Sequence, residues 1–358
     1  MSRSITPLKE RLGRAGIPVT EGDGEPALET PWFVRALQAF SGWLAALFLL
    51  GFVALGLFTV IEDSIAAGGF GLLLIGAAYG LLQTTPGDFR EHLALAASLA
   101  GQMLVAWAAG NALGDMSASF WWSLLLLQVI LALAMPSLTH RGFSAFAASL
   151  ALYLALAEGV SAPSLAGGLV LLALTALWLN EFRWPARLRA VQALGYGLLL
   201  GLLAIQAMEY FGQSLLLGRY YMGTGLDWLE PWAGDALGML ALLLLLRYVF
   251  QHHAGAVAPF VRLAAYGAVA VLMLLSLQAH GLSHGAVVVV LGFAIGNRLV
   301  MGFGGLLLLL SISNYYYWLE ATLLTKAMTL FALGVMMLAI RWAMRHGWRA
   351  GEAEGADQ

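Results

Sequence analysis

The chain has 358 residues, of which 61% are hydrophobic and only 11% charged, with 18 Lys/Arg against 20 Asp/Glu and a mean hydropathy of +0.82. A soluble domain carries about 25% charged residues, so this balance excludes an ordinary globular fold and points to a polytopic membrane protein. Continuous Leu/Ala/Gly runs without period-2 alternation exclude a β-barrel, and the lack of cysteine excludes disulfides, thiol nucleophiles and cysteine-ligated iron–sulfur clusters.

Residues 1–30 read as a cytoplasmic N-terminal segment. Thr6 and Pro7 start a short helix, Ile5, Leu8, Leu12 and Ala15 recur along one face of it, and Gly16 and Pro18 stop it. It reads either as an amphipathic helix lying on the membrane, with Lys9, Arg11 and Arg14 toward lipid phosphates, or as a frayed solvated tail. The acidic, Gly/Pro-containing stretch from Thr20 to Thr30 is linker. Because the first apolar run begins near Ala36, no secretory signal peptide of the usual form is expected.

Residues 31–343 form the expected transmembrane domain, an all-α bundle of about twelve helices: 36–61, 66–82, 91–110, 118–136, 141–159, 163–180, 189–209, 233–251, 259–280, 283–297, 299–315 and 320–343. The tenth and eleventh are short enough to be a bent pair. Residues 344–358 are a cytoplasmic tail. With the N-terminus inside, 16 of the 18 basic residues fall on the cytoplasmic side, leaving only Arg219 and Lys326 outside, so both termini are assigned to the cytoplasm. Tryptophan follows the same alternation, with Trp178 and Trp184 at inner boundaries and Trp107, Trp228, Trp232 and Trp318 at outer ones. Small-xxx-small spacings at Gly197/Gly201 and Gly292/Gly296 favour close helix packing, whereas Gly281/Gly285 belongs to a turn.

Loops are short except for Tyr210 to Asp235 on the outer face, so chemistry is expected within the bundle or at its outer surface. On the last helix Thr322, Thr325, Lys326 and Thr329 share one face. An intramembrane lysine snorkels or meets an acid, and the counter-charges on the same side are Glu209, Glu158 and Glu320, of which Glu320 sits on another face of the same helix. The site is then either a polar pocket for an anionic group or a structural ion pair that sets helix register. Tyr315, Tyr316, Tyr317 and Trp318 precede that helix as an aromatic belt, and at least one of the three tyrosines must face protein; stacking on a sugar or lipid headgroup is the sharper reading.

The outer loop sets Tyr210, Tyr220, Tyr221, Trp228 and Trp232 among Arg219, Asp227, Glu230 and Asp235, as an interfacial anchor or as a lid that contacts a ligand. His280 and His284 have ligand-like i, i+4 spacing, but Gly281 between them makes a regular helix doubtful, so no metal site and no cofactor is expected. There is no Walker A, GxSxG or HExxH motif, and the reading leans away from an enzyme.

Two stretches carry a resemblance: PWFVRALQAFSGWLAALFLLGF at Pro31–Phe52, with its PWxxR lead-in to the first helix, and Asn297–Trp342, with its YYYxLxxTLLxKS-like ending. They resemble the bacterial membrane-protein family known as domain of unknown function 4401, departing from its ending only at Ala327. The resemblance implies a multi-pass protein of the bacterial inner membrane, encoded near a second polytopic membrane protein and a small exported protein, and it implies no activity.

Three function classes follow. A non-catalytic subunit of an envelope membrane complex ranks first, contacting membrane lipids and protein partners but no nucleic acid. A small-molecule or lipid transporter is the alternative, and a membrane-embedded transferase on a lipid-linked substrate ranks third. Lys326→Leu is expected either to abolish function in a folded protein or to lower the unfolding temperature by orphaning an acid. An unchanged melting temperature together with an unchanged complementation phenotype would sink both readings.

Overall fold

A computed structural model of the chain describes residues 63–84, 88–114, 116–212, 230–252, 259–276 and 280–318, with single helical positions between 34 and 51 and between 324 and 338. The N-terminal segment, most of the first and last expected spans, the centre of the 210–235 loop and the C-terminal tail lie outside the described residues.

Ten α-helices are described: α1 (Ser64–Gln83), α2 (Asp88–Leu113), α3 (Ala118–Ala134), α4 (Leu138–Val160), α5 (Ser164–Leu179), α6 (Leu188–Ala207), α7 (Glu230–His252), α8 (Pro259–Ser276), α9 (Leu282–Ala294) and α10 (Arg298–Trp318). Among the described residues seven helical stretches are long and apolar enough to cross a membrane, and α3, α5 and α9 are shorter apolar helices. Leucine-rich composition drives helix formation, and polar side chains set the ends. Asp63 accepts the Ile65 amide at 2.9 Å to open α1, Ser117 caps α3, and Ser137 caps α4 by accepting the His140 amide at 3.3 Å.

The core is centred on α5 and α9. Leu171 and Leu174 of α5, Leu199 and Leu202 of α6, Leu245 of α7, and Val287 and Leu291 of α9 are buried in one apolar cluster. Large apolar side chains are also abundant outside: Ile65 is 86% and Phe293 79% exposed, an arrangement that water would penalise and hydrocarbon does not. Trp178 lies in the last turn of α5, near the boundary expected for it, but faces protein. It is 2% exposed and meets Tyr196 edge-on at 5.8 Å, because Gly195 leaves room for the indole on the face of α6.

Helices approach through glycine, as small residues allow where lipid supplies no hydrophobic drive for association. A Cβ on Gly71 of α1 would lie 2.6 Å from the Gly101 carbonyl of α2, and one on Gly101 would lie 2.5 Å from the Gly71 carbonyl. Gly197 and Gly201 set α6 parallel to α4, meeting Gly142 and Ser149. Gly292 packs against the Met301 backbone, but Gly296 is a turn residue at φ 69°.

That turn makes α9 and α10 a tight antiparallel hairpin. Asn297 follows it, donating its amide to Gly292 at 2.8 Å and accepting the Leu299 amide at 3.0 Å as the cap of α10. Its side-chain amide donates to the Tyr196 hydroxyl at 2.8 Å, which fastens the hairpin to α6.

Gly71→Ala is expected to destabilise the α1–α2 hairpin by about 1–3 kcal/mol, since the methyl meets backbone. Gly76→Ala, on the same helix with open space around it, is expected to be neutral or stabilising by about 0.5–1 kcal/mol. Thermal unfolding of both variants in detergent checks the contrast, and equal shifts would contradict the packing.

Candidate functional site

Helix α9 has 13 residues, a length of about 20 Å, short of the roughly 30 Å of a hydrocarbon core. Its start also lies below the end of the bundle. Gly281, its N-cap, is level with Ser311, and α10 continues past Ser311 to Trp318, about 10 Å further. The backbone at His280 and Gly281 is a turn, and at Gly281, buried among the helices, the bare peptide groups need protein partners.

Three side chains from other helices supply those partners. Tyr210, in the π-helical turn Met208–Gly212 that ends α6, donates its hydroxyl to the His280 carbonyl at 2.8 Å. The Gln206 amide, 3% exposed, divides its two N–H groups among the Gly281 carbonyl at 3.2 Å, the Tyr210 hydroxyl at 2.8 Å and the Ser311 hydroxyl at 2.6 Å. Asp235 of α7 accepts the Gly281 amide at 3.2 Å and the Ser283 hydroxyl at 2.6 Å on Oδ1. Its carboxylate thus faces the positive end of the α9 dipole. Gly281 is indispensable twice over: its φ is 82°, and a Cβ there would collide with Tyr210 and Gln206.

The other carboxylate oxygen, Asp235 Oδ2, lies 3.0 Å from Nδ1 of His280. The two partners differ sharply in exposure, 45% for the His280 side chain and 8% for that of Asp235. Ser283 continues inward, its hydroxyl 3.4 Å from Nδ1 of His284, whose Nε2 is buried against Gly167 without a hydrogen-bond partner among the described residues. The site is an internally bonded polar cluster that shows one imidazole at the surface.

A second polar cluster occupies the other half of the bundle. His140, fully buried at the start of α4, has Nε2 2.8 Å from the Ser98 hydroxyl and Nδ1 3.2 Å from that of Ser144. Gln102 donates to Ser98 at 3.1 Å and accepts from Gln128 at 2.7 Å, joining α2, α3 and α4. Glu91 accepts the Ser137 hydroxyl at 2.5 Å and that of Thr139 at 3.2 Å. Apart from Oε1 of Gln128, which has no hydrogen-bond partner among the described residues, these groups bond to one another, which suits a register-setting seam.

Of the residues expected from the sequence, Tyr315 is 4% exposed and packs with Leu282 beside the first cluster, whereas Tyr316 is 44% exposed. Trp232 is 49% exposed, and Glu158 and Glu209 are half-buried. Lys326, Thr322, Thr325, Thr329, Glu320, Trp228 and the side chains of Tyr317 and Trp318 lie outside the described residues. His280 and His284 do not form a ligand pair: one precedes α9 at the surface and the other is inside it. Among the described residues no three His, Cys, Asp or Glu side chains converge on a metal position. Sequence reasoning treated Asp235 as one loop acid among several and gave Gln206 and Ser311 no role. The signal that finds them is the short α9 itself, whose interrupted start requires donors and acceptors from elsewhere.

A family model described as Domain of unknown function (DUF4401) matches residues 31–346. No curated protein and no solved structure matches the chain.

Asp235→Ala removes the acceptor of a buried amide and a buried hydroxyl and is expected to cost about 2–4 kcal/mol. His280→Ala removes only the half-exposed end of the pair, for about 1 kcal/mol or less. Thermal unfolding of the two variants tests the difference, and a His280→Ala loss as large as that of Asp235→Ala would contradict it.

Proposed function

The chain belongs to the family of the domain of unknown function DUF4401, and from that premise we propose that it is a non-catalytic subunit of a bacterial envelope membrane complex, binding a ligand or partner at the rim that carries His280. The observation that carries this reading is the half-exposed His280 imidazole, held in place by a carboxylate that is itself almost fully buried. Such a group is prepositioned and costs little side-chain entropy when something binds it. The alternation of basic residues supports an inner-membrane bundle of about twelve helices with both termini cytoplasmic, which sets His280, Tyr315 and Tyr316 at the outer face beside the expected Lys326 face. The partners consistent with the resemblance are a second polytopic membrane protein and a small exported protein.

One observation favours transport as a second reading. A short helix whose N-terminus starts inside the bundle, opposite a buried acid, resembles the discontinuous helices around which transporters bind their substrates. The chain His280, Asp235, Ser283, His284 leads from the rim toward the core.

Gentle purification in native lipid, followed by mass spectrometry of co-purifying proteins and ligands, separates these readings. The wild type is expected to retain a partner or ligand that His280→Ala, still folded, releases at least tenfold more readily. Recovery of the wild-type monomer alone, with nothing bound, would overturn the proposal, and solute uptake into vesicles by that monomer would establish transport instead.

A further inference from the structure

The end of the bundle opposite His280 holds a different chemistry. Helices α4 and α6 run parallel and both begin there, so the α3–α4 turn and the α5–α6 connection lie side by side. The connection is compact, folding through two 3₁₀ turns at Glu181–Arg183 and Pro185–Arg187. It is pinned by Glu181, whose carboxyl burial pushes above the ordinary carboxylate range while a hydrogen bond from Gln192 pulls it down. Between the two connections is a cavity of about 640 Å³, lined by Arg141, Arg187 and Arg189 together with Leu133, Leu138 and Leu188.

Three arginines on one cavity make it electropositive and so favourable to an anion. Arg141 is half-buried and oriented: its Nε donates to the Met135 carbonyl at 2.6 Å, which leaves the outer edge of the guanidinium for another acceptor. Arg187 and Arg189 are exposed, and none of the three pairs with a carboxylate among the described residues. The N-terminal ends of α4 and α6 at the cavity favour negative charge, offset in part by the C-terminal end of α3, whose Leu133 and Ala134 also line it. The chemistry that suits this lining is anionic.

The walls narrow the choice of anion. Leu133 is 65% and Leu138 41% exposed, and Phe182 and Trp184 beside the cavity are 78% and 50% exposed, so an apolar belt adjoins the arginines directly. Inorganic phosphate satisfies the arginines and leaves the belt without a role, whereas a molecule with a phosphodiester head and acyl chains satisfies both. We propose that this cavity binds the headgroup of an anionic phospholipid, its phosphate held by Arg141, Arg187 and Arg189 and its chains lying along Leu133 and Leu138. Basic recesses between membrane helices recognise such headgroups by charge and by bidentate guanidinium geometry. The site is independent of whatever binds at His280.

The test uses the full chain, wild type and Arg187→Gln/Arg189→Gln, with phosphatidylglycerol or phosphatidylcholine vesicles, read by native mass spectrometry and by thermal unfolding. The wild type is expected to retain phosphatidylglycerol at least tenfold over phosphatidylcholine, and the double variant to lose about tenfold of that retention. Because both arginines are exposed, the variant's unfolding temperature without added lipid should match the wild type. Arg187→Lys/Arg189→Lys, which keeps the charge, should restore most of the retention and provides the comparison should the neutral variant fold poorly. Equal phosphatidylglycerol retention by wild type and the neutral variant, or no preference over phosphatidylcholine, would overturn the proposal. Full displacement by millimolar inorganic phosphate would reassign the cavity to a free anion and overturn it as well.

Discussion

A helix cannot be interrupted inside a bilayer unless the peptide groups it exposes are taken up by protein, because each one left bare costs several kcal/mol. In this chain a comparable demand falls on Gly281, buried among the helices, and on the carbonyl of the exposed His280 before it. The His280 carbonyl goes to Tyr210, the Gly281 carbonyl to Gln206 and the Gly281 amide to Asp235, so the end of α6, the turn after it and the start of α7 all converge on one break. Ser311 joins from α10. Much of the tertiary arrangement follows. With α9 begun below the rim, the α9–α10 hairpin needs fixing at both ends, and α6 does this through Gln206 at one end and the Tyr196–Asn297 bond at the other.

Packing elsewhere is governed by small residues and by what faces lipid. Gly71, Gly101, Gly197, Gly201 and Gly285 bring backbones together where a methyl would collide, and the leucines that fill a soluble core are divided here between the interior and the exterior. Hydropathy therefore does not separate inside from outside. Polar placement does: the His140 cluster joins α2, α3 and α4, and the Asp235 cluster joins α6, α7, α9 and α10.

The two ends offer complementary chemistry. One shows an imidazole oriented by a buried carboxylate, and the other shows three arginines that pair with no carboxylate among the described residues, beside exposed apolar side chains.

Sequence alone determined the class. Long apolar runs point to a membrane helix bundle, and ten of the expected spans have a described helix at nearly the same positions, since the polar and turn residues that end each apolar run are local in the sequence. It also marked Gly197/Gly201 as a packing seam and Gly281 as a breaker, because both follow from the missing side chain. What only the tertiary structure decided is which polar residues meet. Gln206, Asp235, Gly281 and Ser311 are up to 105 residues apart, and no local pattern links them. Trp178 looks interfacial by position yet is buried, because Gly195 on a different helix makes room for it. Arg141, Arg187 and Arg189 read as a charge alternation in the chain and become a cavity only when α4 and α6 start side by side. Periodicity reports how a helix meets its solvent, whereas a site depends on which helices are neighbours, and that is fixed by packing between distant segments.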